Sequence, residues 1–134
     1  MDIFKDFTGD LTRILADLGD SGAMPRDLDL RSVSIEPPRD AAHGDIATNA
    51  ALVLAKQARM KPRDLAEPIA AALGAADGVI AVDIAGPGFI NVRFSDAHWS
   101  AVFADILAAG DDYGRSELGA GRAVNVEYVS ANPT

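Results

Sequence analysis

Two alternating runs flank Ala85-Gly86-Pro87-Gly88, and no other stretch constrains the fold of this chain as much. Val79 to Ala85 and Gly88 to Phe94 read as strands around a glycine- and proline-bearing turn. Strands joined this closely pair antiparallel, because a parallel pair needs a long crossover. Side chains alternate across a strand. Ile90, Val92 and Phe94 are therefore assigned to the core, and Phe89, Asn91 and Arg93 to the opposite face.

The rest of the chain must supply the layer that covers the apolar side. Ile3, Phe7, Leu11, Ile14, Leu15 and Leu18 recur at helical spacing, which predicts an amphipathic helix from about Asp2 to Leu18. Gly19-Asp20-Ser21-Gly22 is expected to end it. Val33 and Ile35 alternate with polar residues as a short strand, stopped by Pro37-Pro38, since proline cannot donate to a ladder. Residues 39–44 read as a loop. Asp45 or Thr48 is placed to cap a second helix whose stripe is Ile46, Ala50, Val53, Leu54 and Gln57. Pro62 opens a third helix with Leu65, Ile69, Ala72 and Leu73 inward, and Pro68 is expected to kink it or delay its start. Ser95 caps a fourth, whose stripe of Trp99, Val102, Phe103, Ile106 and Leu107 is predicted to be core. The order predicts an α+β domain with a small, mainly antiparallel sheet and about four helices packed on one face. Four glycines between Gly110 and Gly121 suggest a linker. The expected division is 1–112 for the domain and 113–134 for linker and a further strand. That strand, from Val124 on, runs into a proline-bearing turn at the chain end, so the end is expected to be a cut through a longer protein.

Composition narrows the function classes. Hydrophobic residues make up 49% of the 134, enough for a core and too many for a disordered chain. There is no cysteine, which excludes disulfides and thiolate metal sites and fits a reducing, cytoplasmic setting. No apolar run approaches the ~20 residues of a membrane span, so no membrane partner is expected. With only His43 and His98, a metal site lacks ligands at useful spacing. His43 reads as a solvent or capping residue and His98 as structural. No carboxylate pair, phosphate loop or nucleophile triad has the spacing for catalysis, so no catalytic residue is assigned.

One candidate site follows from pattern alone. On the outer face of the second hairpin strand a ring, an amide and a guanidinium lie in a row. A splayed-out base can stack on Phe89, with Asn91 bonding its edge and Arg93 meeting a phosphate. Gly86 would let nucleic acid approach the backbone closely. The plainer alternative is a solvent-facing strand with a stray phenylalanine, and a simple hairpin turn at Gly86-Pro87-Gly88.

Three stretches carry a family resemblance. Glu127-Tyr128-Val129-Ser130-Ala131-Asn132-Pro133-Thr134 is similar to the segment that opens the catalytic domain of bacterial arginyl-tRNA synthetases. There it leads into the His-x-Gly-His signature of class I enzymes, which this chain lacks. Gly44-Asp45-Ile46-Ala47-Thr48-Asn49-Ala50 resembles the family's GD-x-ATN helix start, and Gly86 to Phe94 resembles a strand of its N-terminal domain. The resemblance runs through nearly the whole chain in the family's order. It implies an N-terminal tRNA-recognition domain followed by the first strand of a catalytic domain. It implies that Phe89 and Asn91 contact a base of the tRNA D-loop at the elbow, and that Glu127 and Asn132, with Ser130 beside them, hold the arginine substrate. The complete enzyme would attach arginine to its tRNA with ATP and Mg²⁺. This piece alone would bind neither and would be inactive, its partners being an arginine-accepting tRNA and the remaining synthetase domains.

The charge balance pulls the other way. Net charge is −8, from 20 acids and 12 bases, and phosphates attract cations. tRNA contact is then expected to be local, with other domains supplying most of the attraction and salt damping repulsion beyond about 8 Å. The rival readings are a non-catalytic nucleic-acid-binding module and a protein-interaction α+β module.

Overall fold

The computed structural model describes residues 3–117 and 119–127. Its elements in chain order are α1 (Ile3–Ser21), β1 (Ile35–Glu36), a 3₁₀ turn (Ala41–His43), β2 (Ile46–Thr48), α2 (Ala50–Ala58), α3 (Pro62–Gly74), β3 (Val79–Ala85), β4 (Phe89–Phe94) and α4 (Asp96–Ala109), with a second 3₁₀ turn at Gly110–Asp112. The four strands form one sheet in the order β1-β2-β4-β3, antiparallel throughout. The expected α+β class is the observed one.

The core forms where the apolar stripe of each helix meets the inner face of the sheet. Phe7, Leu11, Ile14 and Leu15 of α1, Leu54 of α2, and Leu65, Ile69 and Leu73 of α3 close over Ile46, Ile90, Val92 and Phe94. Alanines 50, 51, 58 and 66 in the same cluster let the backbones come close. Pro62 takes the first helical position of α3, where its missing N–H costs nothing. Pro68 lies inside α3, which neither starts late nor stops there, so the expected delay is not observed. The helix α1 runs through Gly19 to Ser21, three residues past the predicted end.

The stretch Gly44 to Asn49 corrects a second expectation. Ile46–Thr48 is a strand, paired with Val92 to Ile90 of β4, and the helix begins only at Ala50. Gly44 adopts φ +143°, and a Cβ there would lie 2.7 Å from the carbonyl oxygen of Val92. The Asp45 N–H donates to that same oxygen at 2.8 Å, and the Asp45 carboxylate accepts from the Phe94 N–H at 2.8 Å. Asp45 therefore locks β4 and does not cap a helix. Thr48 does support the start of α2, its hydroxyl accepting from the Ala50 N–H at 3.2 Å while donating to the Ser34 carbonyl at 2.9 Å. The Asn49 amide accepts from the Ser34 N–H at 2.7 Å and donates to the Ser32 carbonyl at 3.2 Å. These bonds hold β1 at the sheet edge.

The fourth helix is the third correction. Ser95 caps it as expected, accepting from the His98 N–H at 3.1 Å. Of its predicted core stripe only Val102 is buried; Trp99 and Ile106 are half-buried, and Phe103 and Leu107 are 62% and 82% exposed. The inner sheet face is already covered by α1, α2 and α3. The first turn of α4 packs on the core cluster, where His98 stacks on Phe94 and Trp99 meets its edge. Residues 122–127 are in no strand, in contrast to the alternation read from Val124 onward. No helix among the described residues is long and apolar enough to cross a membrane.

Candidate nucleic-acid interface

Antiparallel pairing fixes what stands beside each outward side chain of β4. Phe89 is opposite Ala85, Arg93 is opposite Ala81, and Asn91 lies between Ala47 of β2 and Asp83 of β3. Three of these four cross-strand partners are alanines. Phe89, Asn91 and Arg93 thus follow one another along the outer face beside mostly short cross-strand neighbours.

The three side chains differ in how free they are. Phe89 is 44% exposed, at the end of the strand beside the turn. Asn91 is only 7% exposed, so it does not project into solvent as the alternation alone predicted. It sits on the inner strand β4, paired by β2 on one side and β3 on the other. It nonetheless stays on the outer face, opposite to Ile90 and Val92. Among the described residues no protein group bonds its amide, and that amide is not among the sealed, unpartnered polar atoms. Arg93 is half-buried and partly committed: Nη2 donates to the Ala42 carbonyl at 2.7 Å. It clasps the 3₁₀ turn Ala41–His43 to the sheet and has other guanidinium donors besides that nitrogen.

The turn is built by close approach. Gly86 has φ +54° with open space around it, and Gly88 has φ +149°, where a Cβ would press on Pro62 at 3.1 Å. The Gly86 carbonyl accepts from Arg63 Nη1 at 2.8 Å. Hairpin tip and the start of α3 are therefore one surface. Sequence reasoning missed Arg63 here. The available signal was charge: between Asp45 and Asp64 the chain has no carboxylate, while Lys56, Arg59, Lys61 and Arg63 all fall in that interval.

The remaining candidates are apart from this face. His43 is exposed on its turn. His98 packs on Phe94 with ring centroids 4.3 Å apart, and its Nε2 is buried with no hydrogen-bond partner among the described residues. Glu127 is exposed, and Ser130 and Asn132 lie outside the described residues. Among the described residues no three His, Asp or Glu side chains are grouped to hold a metal ion.

Comparison with known proteins agrees with the resemblance in the sequence. Residues 5–94 match the family model described as arginyl tRNA synthetase N terminal domain. Over 134 residues, all of this chain and 23% of the relative, the chain is 56% identical to an arginine--tRNA ligase of Parvibaculum lavamentivorans. It is 58% identical over 133 residues, 98% of this chain and 22% of the relative, to an arginine--tRNA ligase of Azorhizobium caulinodans. The chain thus spans less than a quarter of the length of these curated relatives. Its fold is similar to that in a crystal structure of arginyl-tRNA synthetase from Plasmodium falciparum, with TM-score 0.59 at 13% identity, covering 74% of this chain and 17% of that one.

Proposed function

The chain belongs to the arginyl-tRNA synthetase N-terminal domain family, and from that premise we propose that it anchors the elbow of an arginine-accepting tRNA on the outer face of β4. One unpaired D-loop base stacks on Phe89 and presents its edge to Asn91. The whole protein attaches arginine to that tRNA in the cytoplasm, using ATP and Mg²⁺, with Glu127, Ser130 and Asn132 holding the amino acid. In this reading the hairpin face supplies a grip on the tRNA and no part of the chemistry.

The observation that supports this reading most is an exposed ring next to an amide that no protein group bonds among the described residues. The ring supplies dispersion and desolvation that any base can use, and the amide both donates and accepts, so it can discriminate between base edges. Asp83, opposite Asn91, disfavours a phosphate at this spot and suits the N–H donors of a base. Gly86 lets the backbone of the turn come close to the ribose chain, and the remaining guanidinium donors of Arg93 serve the flanking phosphate.

Filter binding of an arginine-accepting tRNA transcript to the intact ligase tests it. Phe89→Ala is expected to weaken binding by about 1–3 kcal/mol, the usual worth of base stacking on an aromatic side chain. Asn91→Ala is expected to lose less affinity but to relax the preference for the base at that position. Equal affinity for wild type and both variants would remove the base-recognition role.

A further inference from the structure

The net charge of −8 conceals a strongly uneven distribution. Lys56, Arg59, Lys61 and Arg63 are four of the chain's 12 cationic side chains, and no carboxylate occurs between Asp45 and Asp64. All four are exposed. Four of the other eight cations are neutralised locally: Arg13 by Asp10, Arg26 by Asp20, Arg31 by Asp29 and Arg115 by Asp112. Among the described residues the side chains of Lys56, Arg59 and Lys61 have no such partner, and Arg63 donates to a carbonyl, so it keeps its charge uncompensated. The nearest carboxylates along the chain, Asp64 and Glu67, follow on α3.

Position makes this cluster useful. It occupies the end of α2, the connection and the start of α3. Arg63 bonds Gly86 and Pro62 packs against Gly88, the residue before Phe89. Arg59 is also held in an unfavourable backbone state. It closes α2 in the left-handed conformation, φ +54° and ψ +37°, where glycine is the usual residue and a side chain costs about 1–2 kcal/mol.

We propose that Lys56, Arg59 and Lys61 form a phosphate-contacting strip that grips the tRNA backbone running off the Phe89 platform, with Arg63 tying strip to platform. This rests on the reading that the hairpin face receives tRNA. It places the electrostatic attraction for the elbow within this chain and not wholly in other domains. Cations of this kind bind phosphates by releasing counterions, so their signature is the dependence of affinity on salt, and it carries no sequence preference.

The test is the slope of log affinity against log salt between 50 and 200 mM for the intact ligase with an arginine-accepting tRNA transcript. Each lost phosphate contact is expected to reduce the slope by about 1. Lys56→Gln/Lys61→Gln is expected to reduce it by about 2, and Arg59→Gly by about 1. Arg59→Gly is the discriminating variant, because glycine fits the left-handed position: the unfolding midpoint is expected to stay near that of wild type while tRNA binding becomes less salt-sensitive. Arg13→Gln/Arg31→Gln removes as much charge from paired sites elsewhere and is expected to leave the slope unchanged. Phe89→Ala is expected to lower affinity at all salt concentrations with the slope intact. If the strip variants keep the wild-type slope while Phe89→Ala weakens binding, the strip is wrong and the base platform stands. If the strip variants lower the slope while Phe89→Ala changes nothing, the strip stands and the platform is wrong. An equal drop in slope for the strip and control variants would also overturn the proposal, since net charge alone would then explain it.

Discussion

Replacing Gly44 by alanine removes nothing and adds one methyl group, yet it is expected to be among the most damaging single changes in this domain. Gly44 sits at φ +143° and ψ −165°, a region that is open to glycine and costs a side chain about 1–3 kcal/mol. The added Cβ would lie 2.7 Å from the Val92 carbonyl oxygen and 3.2 Å from its carbon, both backbone atoms of the inner strand β4. Neither can swing away like a side chain, so the loop must retreat. Retreat stretches two bonds of the next residue, Asp45 N–H to the Val92 oxygen and Phe94 N–H to the Asp45 carboxylate. A neutral bond contributes about 0.5–1.5 kcal/mol and a charge-assisted one about 1.5–3. The expected loss is about 3 kcal/mol with every term at its lower value and about 7.5 kcal/mol with every term at its upper value. Domains of this size have only about 5–15 kcal/mol to lose. Gly9→Ala is the matched control: Gly9 is inside α1 with nothing within 4 Å of its would-be Cβ, and alanine there is expected to stabilise by about 0.5–1 kcal/mol. Urea unfolding followed by circular dichroism reads both, as opposite shifts of midpoint at constant slope. A Gly44→Ala protein within about 0.5 kcal/mol of wild type would refute the argument, because it would mean that strand and loop are not in the close contact described.

Two further outcomes follow from side chains that hold the sheet edge and its loop. Asn49→Ala leaves the Ser34 N–H without its 2.7 Å acceptor and is expected to cost about 1–3 kcal/mol, with faster hydrogen exchange at the Ser34 amide; unchanged exchange would contradict the assignment of that bond. Hydrogen bonds from the Arg31 side chain and backbone hold the Asp29 carboxyl below its ordinary value of 3.8. A depressed carboxyl contributes stability that is present above its unfolded pKa and lost as pH falls through the folded one. A carbon-detected titration is expected to place the Asp29 midpoint below 3.8, and Arg31→Gln to return it upward; an unchanged midpoint in that variant would show that Arg31 is not the cause.

The elements built on local pattern were legible from the sequence. The α1 stripe, the hairpin of β3 and β4 and the Ser95 cap all depend on residues close in the chain. What escaped depends on distant partners. Ile46-Ala47-Thr48 continues the spacing of the α2 stripe, and only pairing with β4 makes it a strand. Helical periodicity marked one side of α4 as apolar without revealing that other helices already cover the sheet. At the candidate site, period-two alternation correctly put Phe89, Asn91 and Arg93 on one face. It could not show that β2 and β3 would hem in Asn91, or that Arg93 would reach back to Ala42. The basic strip was visible as a carboxylate-free interval, but a net charge summed over the chain hid it.

The most direct measurement of the central claim is a cycle that pairs a protein change with a nucleic-acid change. Phe89→Ala in the full-length protein is combined with tRNA transcripts that lack one D-loop base at a time, and binding is measured for all four combinations at fixed salt. If an unpaired base stacks on Phe89, one abasic position will couple to the alanine variant by about 1–3 kcal/mol while its neighbours stay near zero. Additive effects at every position would contradict the account, since ring and base would then act independently.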